Sequence, residues 1–191
     1  MAGQVGGAVL KFDALKSDAL KSEVFPRSEL LALATERGLA AIEFAHLRQG
    51  SGAAEWQGRE LPAAEGAAAQ HLEQAARQLG EYLAGERREF TVPVDFSGVA
   101  TPFRRRATQA LAQIPYGETI TYVQLAALAG NPRAVRAAAS ACARNPLPIL
   151  YPCHRVIRSD GSLGEYRGGA ETKRALLEME YALVSRGNFA R

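Results

Sequence analysis

Cysteine and histidine are scarce in this chain of 191 residues, with two of the first and three of the second. Both cysteines, Cys142 and Cys153, lie in the C-terminal half, so the N-terminal half offers only His46 and His71 as soft metal ligands. A structural zinc site needs about four such ligands, which excludes one there, and no metal and no cofactor is expected. Two cysteines also make no disulfide framework and suit a reducing compartment. No apolar run approaches the roughly 20 residues that span a bilayer, and the opening Met-Ala-Gly-Gln-Val-Gly-Gly lacks a basic segment followed by a long apolar one. The expectation is a soluble intracellular protein without a membrane partner, cytoplasmic, or nuclear in a eukaryote.

Net charge is small, +3, but unevenly placed: residues 1–99 carry −4 and residues 100–191 carry +7. A positive half of this size suits a nucleic-acid partner, because phosphates neutralised by Lys and Arg release counterions.

The chemistry concentrates at Pro152-Cys153-His154-Arg155-Val156. A free cysteine is only a few per cent thiolate near neutrality, and an adjacent imidazole or cation raises its nucleophilicity. Pro146, Pro148 and Pro152 disfavour helix at the residues before them, which predicts Leu147 to Tyr151 as a short extended strand ending at the thiol. A structural cysteine in a core strand is the competing reading.

Upstream, Tyr122 to Ala129 reads as a helix stopped by Gly130, with Asn131-Pro132 as N-cap and first residue of the next. That is a helix-turn-helix pattern. Its second helix, Arg133 to Arg144, carries arginines at its start, middle and end with alanine and other small residues between. A helix so smooth can approach another surface closely, or serve only for packing.

These residues together resemble the C-terminal domain of the O6-alkylguanine-DNA alkyltransferases, the methylated-DNA-protein-cysteine methyltransferases. The matching pieces run in register from Thr101-Pro-Phe103 through Ile114-Pro-Tyr-Gly-Glu-Thr119, Thr121-Tyr-x-x-Leu-Ala126 and Gly130-Asn-Pro-x-Ala-x-Arg-Ala137. They continue with Asn145-Pro-x-Pro-Ile149, the Pro-Cys-His-Arg-Val run, Gly164-x-Tyr-x-Gly-Gly169 and Lys173-x-x-Leu-Leu-x-x-Glu180. The resemblance implies an α+β protein. Residues 1–99 would form a ribonuclease-H-like structural domain of small antiparallel sheet plus helix, with 1–22 as a tail or short helix. Residues 100–191 would form a mainly helical domain with the helix-turn-helix and an active-site cysteine turn.

It further implies a monomer that binds double-stranded DNA through the minor groove, flips O6-alkylguanine out, and transfers the alkyl group irreversibly to Cys153. O4-alkylthymine is a further candidate substrate. His154 would be the base, through a water, Glu180 its orienting carboxylate, and Tyr122 a contact to guanine N3 that also forces backbone rotation. Arg136 would fill the vacated stack, with Arg133, Ala137, Ala138 and Ser140 beside it on the DNA face. The pocket would be built from Asn145, Pro148, Val156, Tyr166 and Arg167, under a glycine-rich flap from Ser159 to Gly169. Arg167 either narrows the pocket or meets a phosphate. Taken alone, Tyr122 also reads as a core aromatic, Glu180 as a solvated helix position and Asn145 as a turn residue. A binding protein without transfer, or a cysteine hydrolase, are the competing functions. The resemblance is poorest at Glu23 to Glu29, after the tandem Asp-Ala-Leu-Lys-Ser at 13–17 and 18–22.

In the N-terminal half, Glu29 to Ala34 and Leu39 to Glu43 are apolar runs around Glu36-Arg37-Gly38 and predict a hairpin, while Ala67 to Leu83 has helical spacing. A helix capped by Thr101 is expected to run to about Gln113.

Overall fold

A computed structural model describes residues 6–11, 29–44 and 63–186. The tandem repeat at 13–22, residues 23–28 and His46 lie outside the described residues. The described residues divide into two compact units, one of 6–11, 29–44 and 63–98, the other of 99–186. Both units mix helix and strand, so the class is α+β.

In the first unit, β1 (Gly6–Lys11), β2 (Glu29–Thr35) and β3 (Gly38–Phe44) form an antiparallel sheet in that order. The predicted hairpin is β2–β3, turned at Glu36-Arg37; β1 is an additional strand that sequence patterning did not separate from a tail. Helix α1 (Gly66–Leu83) packs on the sheet through Leu72, Ala75, Leu79 and Tyr82, all buried with Leu30, Leu39 and Ile42. The buried Gln78 accepts the amides of Thr91 and Val92 at 2.9 and 3.3 Å, anchoring the chain as it leaves α1. Asp95 closes the unit. Its carboxylate takes the Thr35 hydroxyl at 2.7 Å, the Ser97 amide at 2.9 Å and the Arg37 guanidinium, and these outweigh burial to hold its pKa at about 2.

The second unit begins at α2 (Pro102–Leu111), whose N-cap Thr101 accepts the Arg104 amide at 3.3 Å. β4 (Ile120–Thr121) leads directly into α3 (Tyr122–Leu128), where Thr121 and Gln124 form a reciprocal capping box. Then come α4 (Val135–Ala143), a 3₁₀ turn at Cys153–Arg155, β5 (Val156–Ile157) paired parallel to β4, and α5 (Ala170–Ser185). Helices α2, α3 and α4 pack on one another around Leu111, Ile114, Leu125, Ala126, Ala138 and Cys142.

Two local expectations are corrected here. Helix α4 starts at Val135, not at Asn131-Pro132. The Asn131 side chain accepts the Arg133 amide at 3.2 Å and its carbonyl takes the Ala134 amide at 2.9 Å, so Asn131 caps a separate turn. Arg133 and Arg144 consequently flank the helix and do not belong to it.

Leu147 to Tyr151 is likewise a turn and not a strand: the Tyr151 amide reaches back to the Leu147 carbonyl at 2.9 Å. Asn145 organises it by accepting the Leu147 amide at 3.1 Å and donating to the Tyr151 carbonyl at 2.7 Å. Within it Ile149 has φ 74° although it is β-branched and 1% exposed. A branched residue in that region is a strained outlier held by its surroundings.

Candidate active site

Cys153 opens the 3₁₀ turn at the end of that chain reversal and is buried in the same apolar cluster as Leu125, Cys142 and Val156. Its Sγ accepts from Asn145 Nδ2 at 3.2 Å. One side chain thus shapes the turn and orients the sulfur. Burial raises the thiol's pKa; the Asn145 hydrogen bond and the charges of Lys173 and Arg167 work against that rise without cancelling it.

The next residue, His154, is fully buried and its Nε2 lies 2.9 Å from Glu180 Oε1. Glu180 comes from the third turn of α5, whose buried face of Ala175, Leu176, Met179 and Leu183 docks the helix. The carboxylate accepts four groups: His154 Nε2, Arg155 Nε at 2.9 Å, Arg155 Nη2 at 2.9 Å and the Gly117 amide at 3.0 Å. Burial would push its pKa up, but His154 and Arg155 win and hold it well below the usual carboxylate range. For His154 burial wins over Glu180, so the imidazole is held below its usual pKa and stays neutral at physiological pH. With Nε2 as donor to Glu180, Nδ1 carries the lone pair.

Gly117 lets its chain come this close. It sits at φ 78°, and a Cβ there would meet Val184 Cγ2 at 2.8 Å. Arg155 also donates to the Ile114 carbonyl at 2.7 Å and lies 5.3 Å from the centre of the Tyr116 ring. The sequence suggested that Arg155 assists the thiol directly; its guanidinium instead serves Glu180, Ile114 and Tyr116.

Tyr122 is the first residue of α3, half-buried against the same cluster. Burial first, then the neighbouring thiols, pushes its phenol up to about 12, so it is a hydrogen-bond donor at neutral pH. Tyr166 stands edge-on to His154 with ring centres 6.2 Å apart. Pro148 and Val156 are buried beside the turn. Arg167 is half-buried and points inward, its Nη1 3.5 Å from the Asn145 carbonyl.

The structure therefore gathers Cys153, His154, Glu180, Asn145, Val156, Tyr166 and Tyr122 at one place. On α4 and the turn before it, the expected DNA-facing set is separated: Arg133, Arg136 and Ala137 are exposed and Ser140 is half-buried, whereas Ala138 is fully buried. Ala138 packs toward Leu125 and Cys142 and so cannot offer its side chain to a ligand.

Sequence reasoning gave no role to Lys173, which is fully buried and donates from Nζ to the Val156 carbonyl at 2.6 Å. Lys173 and Glu180 are seven residues apart, two helical turns, and that spacing was the available signal that both face inward. Among the described residues no group of three His, Cys, Asp or Glu could hold a metal, and no helix is long and apolar enough to cross a membrane.

Two family descriptions match this chain: the 6-O-methylguanine DNA methyltransferase ribonuclease-like domain over residues 25–96 and its DNA-binding domain over residues 102–182. A methylated-DNA–protein-cysteine methyltransferase of Methanosarcina barkeri is 37% identical over 163 residues, 85% of this chain and 95% of that protein. The constitutive enzyme of that name from Bacillus subtilis is 48% identical over 111 residues, 58% of this chain; the match spans 66% of the Bacillus protein's length. Among solved structures, the O6-methylguanine methyltransferase of Mycobacterium tuberculosis superposes with a TM-score of 0.71 at 32% identity, covering 94% of each chain. The same organism's OGT in complex with DNA gives 0.68 at 36% identity, over 81% of this chain and 88% of that one.

Proposed function

Since the chain belongs to the 6-O-methylguanine DNA methyltransferase family, we propose that it repairs DNA by moving the alkyl group of O6-alkylguanine to Cys153, once per molecule. The observation that carries this reading is the buried run from Asn145 through Cys153 and His154 to Glu180, built next to a helix-turn-helix. Such a run can ionise a thiol that is protonated at rest.

In the transfer, His154 Nδ1 takes the Cys153 proton through a water, and Glu180 compensates the imidazolium that forms. Sulfur attacks the alkyl carbon, the carbon–O6 bond breaks, and its electron pair passes into the guanine ring. The Tyr122 hydroxyl donates toward guanine N3 and makes the base a better leaving group. The products are a thioether at Cys153 and a guanine anion, which becomes unmodified guanine by taking up one proton while His154 returns the thiol's proton to water; with no step to remove the alkyl group, the protein is spent.

A base inside a duplex cannot reach a buried thiol, so the nucleotide must be extruded. The exposed Arg136 on α4 would fill the vacated stack, and Ala137 beside it would allow close approach along the minor groove. Arg133 adds a phosphate contact. Asn145, Pro148, Val156 and Tyr166 line the pocket; the Val156 amide, which donates to the Cys153 carbonyl across the 3₁₀ turn, would give up that bond for both groups to read the base edge. Arg167, turned inward, narrows that pocket. We place the protein in the cytoplasm as a monomer, where Cys153 remains a thiol.

Intact-mass spectrometry after incubation with free O6-benzylguanine tests the reading. One benzyl group per molecule, mapped to Cys153, is expected. An unmodified protein would instead favour a binding protein without transfer, and release of product with turnover a hydrolase.

A further inference from the structure

One cation beside the site takes no part in that scheme. Arg158 follows β5 and opens a turn closed on itself: its amide donates to the Ser162 carbonyl at 2.9 Å and its carbonyl accepts the Gly161 amide at 3.0 Å. Asp160 locks the same turn by accepting the Ser162 amide and hydroxyl at 2.9 and 2.7 Å. The backbone of Arg158 is therefore fixed, while its side chain is exposed and its guanidinium makes no ion pair or hydrogen bond among the described residues.

Gly164, at φ 68°, lies between this arginine and Tyr122. A Cβ on Gly164 would meet the Tyr122 hydroxyl at 3.0 Å and Arg158 Cγ at 3.6 Å. The missing side chain is what brings the phenol and the arginine stem side by side. Arg158 also lines a cavity of about 830 Å³ between the flap and α5, shared with Arg174, Glu165 and Glu178. The charges in that cavity balance, so it is not an anion site as a whole. The cation that counts is the one at the Tyr122 edge, where its charge acts on the phenol against the effect of burial.

We propose that Arg158 is a phosphate clamp, holding the phosphodiester adjacent to the extruded nucleotide while Tyr122 holds the rotated backbone. The proposal rests on the alkyltransferase reading above. A guanidinium presents paired donors that match two phosphate oxygens, and one that is exposed and unpaired gives up no existing contact on binding. Arg158 reaches DNA from the flap side of the pocket, on a different element from Arg136 of α4, so the strand is gripped on two elements at once.

The test compares wild type with Arg158→Ala and Arg158→Lys in single-turnover transfer, using a duplex with one O6-methylguanine at several salt concentrations and free O6-benzylguanine in parallel. Arg158→Ala should slow duplex repair about tenfold more than it slows the free-base reaction, and should flatten the plot of log affinity against log salt by about 0.9. Arg158→Lys should restore the salt slope but only part of the rate, since an ammonium supplies charge without the paired geometry. An unchanged salt slope, or equal slowing on both substrates, would overturn the clamp and make Arg158 a support of the pocket. Failure of the wild type to take the benzyl group would sink the underlying reading, and is seen separately.

Discussion

Arg155 grips Glu180 with two parallel hydrogen bonds, Nε to Oε2 and Nη2 to Oε1, both 2.9 Å, and Oε1 also faces His154 Nε2. One carboxylate thus neutralises a buried arginine and orients the His154 imidazole. Glu180→Gln should slow transfer and raise the pH at which Cys153 becomes reactive. It should also cost about 3–5 kcal/mol of stability, because the buried Arg155 would lose the negative charge that it grips with two hydrogen bonds. Thiol reactivity against pH, with urea unfolding of the same samples, measures both. Superimposable pH profiles for the two proteins would remove Glu180 from the proton path.

The two cysteines predict opposite outcomes. Cys153→Ala should abolish transfer while duplex affinity stays within about twofold, since a buried thiol adds chemistry and little contact area. Cys142 is buried on α4, its thiol pushed far above the ordinary range by burial first and then by Cys153. Cys142→Ala should therefore still accept one alkyl group at a near wild-type rate. Alkylation mapped to Cys142 in the wild type would contradict this.

Arg136→Ala should slow repair of duplex DNA by on the order of tenfold or more beyond any change with the free base, because a free base requires no extrusion. Single-turnover rates on the two substrates separate the steps. Equal slowing would assign Arg136 to the pocket and not to the stack.

A pH dependence of folding follows from His154. Burial lowers its folded pKa, while in the unfolded chain it titrates near about 6.5. Below that pH the unfolded state takes up a proton that the folded state refuses, so stability should fall by up to about 1.4 kcal/mol per pH unit until the folded value is reached. Glu180, lowered in the fold, contributes stability that is lost only as pH falls below about 4.3 toward its folded value. Urea midpoints between about pH 7.5 and 5 should decline for wild type and decline less for His154→Gln.

Much of this was legible in the chain. The hairpin at Glu36-Arg37, helix α1 and the Thr101 cap follow from local pattern, and α3 follows from its stop at Gly130, because each is decided within a few residues. The register of short motifs likewise pointed to Cys153, His154, Glu180 and Asn145 before any geometry. What escaped is what only distant contacts decide. Strand β1, Gly6–Lys11, has a glycine-rich start and pairs with residues more than ten positions away. The two-residue β4–β5 ladder is too short to leave a pattern. The three prolines that suggested a strand at Leu147 to Tyr151 were overruled by the side chain of Asn145, and the start of α4 was displaced by that of Asn131. The buried partners of Arg155 and Lys173 came from elements 17 or more residues away, beyond the reach of local reading.

Ile149 inverts the ordinary rule of substitution in a protein interior. Its side chain, 1% exposed, wants a large apolar group, while its backbone at φ 74° wants glycine or asparagine. No natural residue satisfies both demands, so every replacement trades one defect for another. Glycine relaxes the backbone and opens a cavity, and valine keeps the strain and loses volume. The position four residues upstream of Cys153 is thereby left with few neutral neighbours in sequence space, and the shape of the turn is protected from drift by a conflict within one residue.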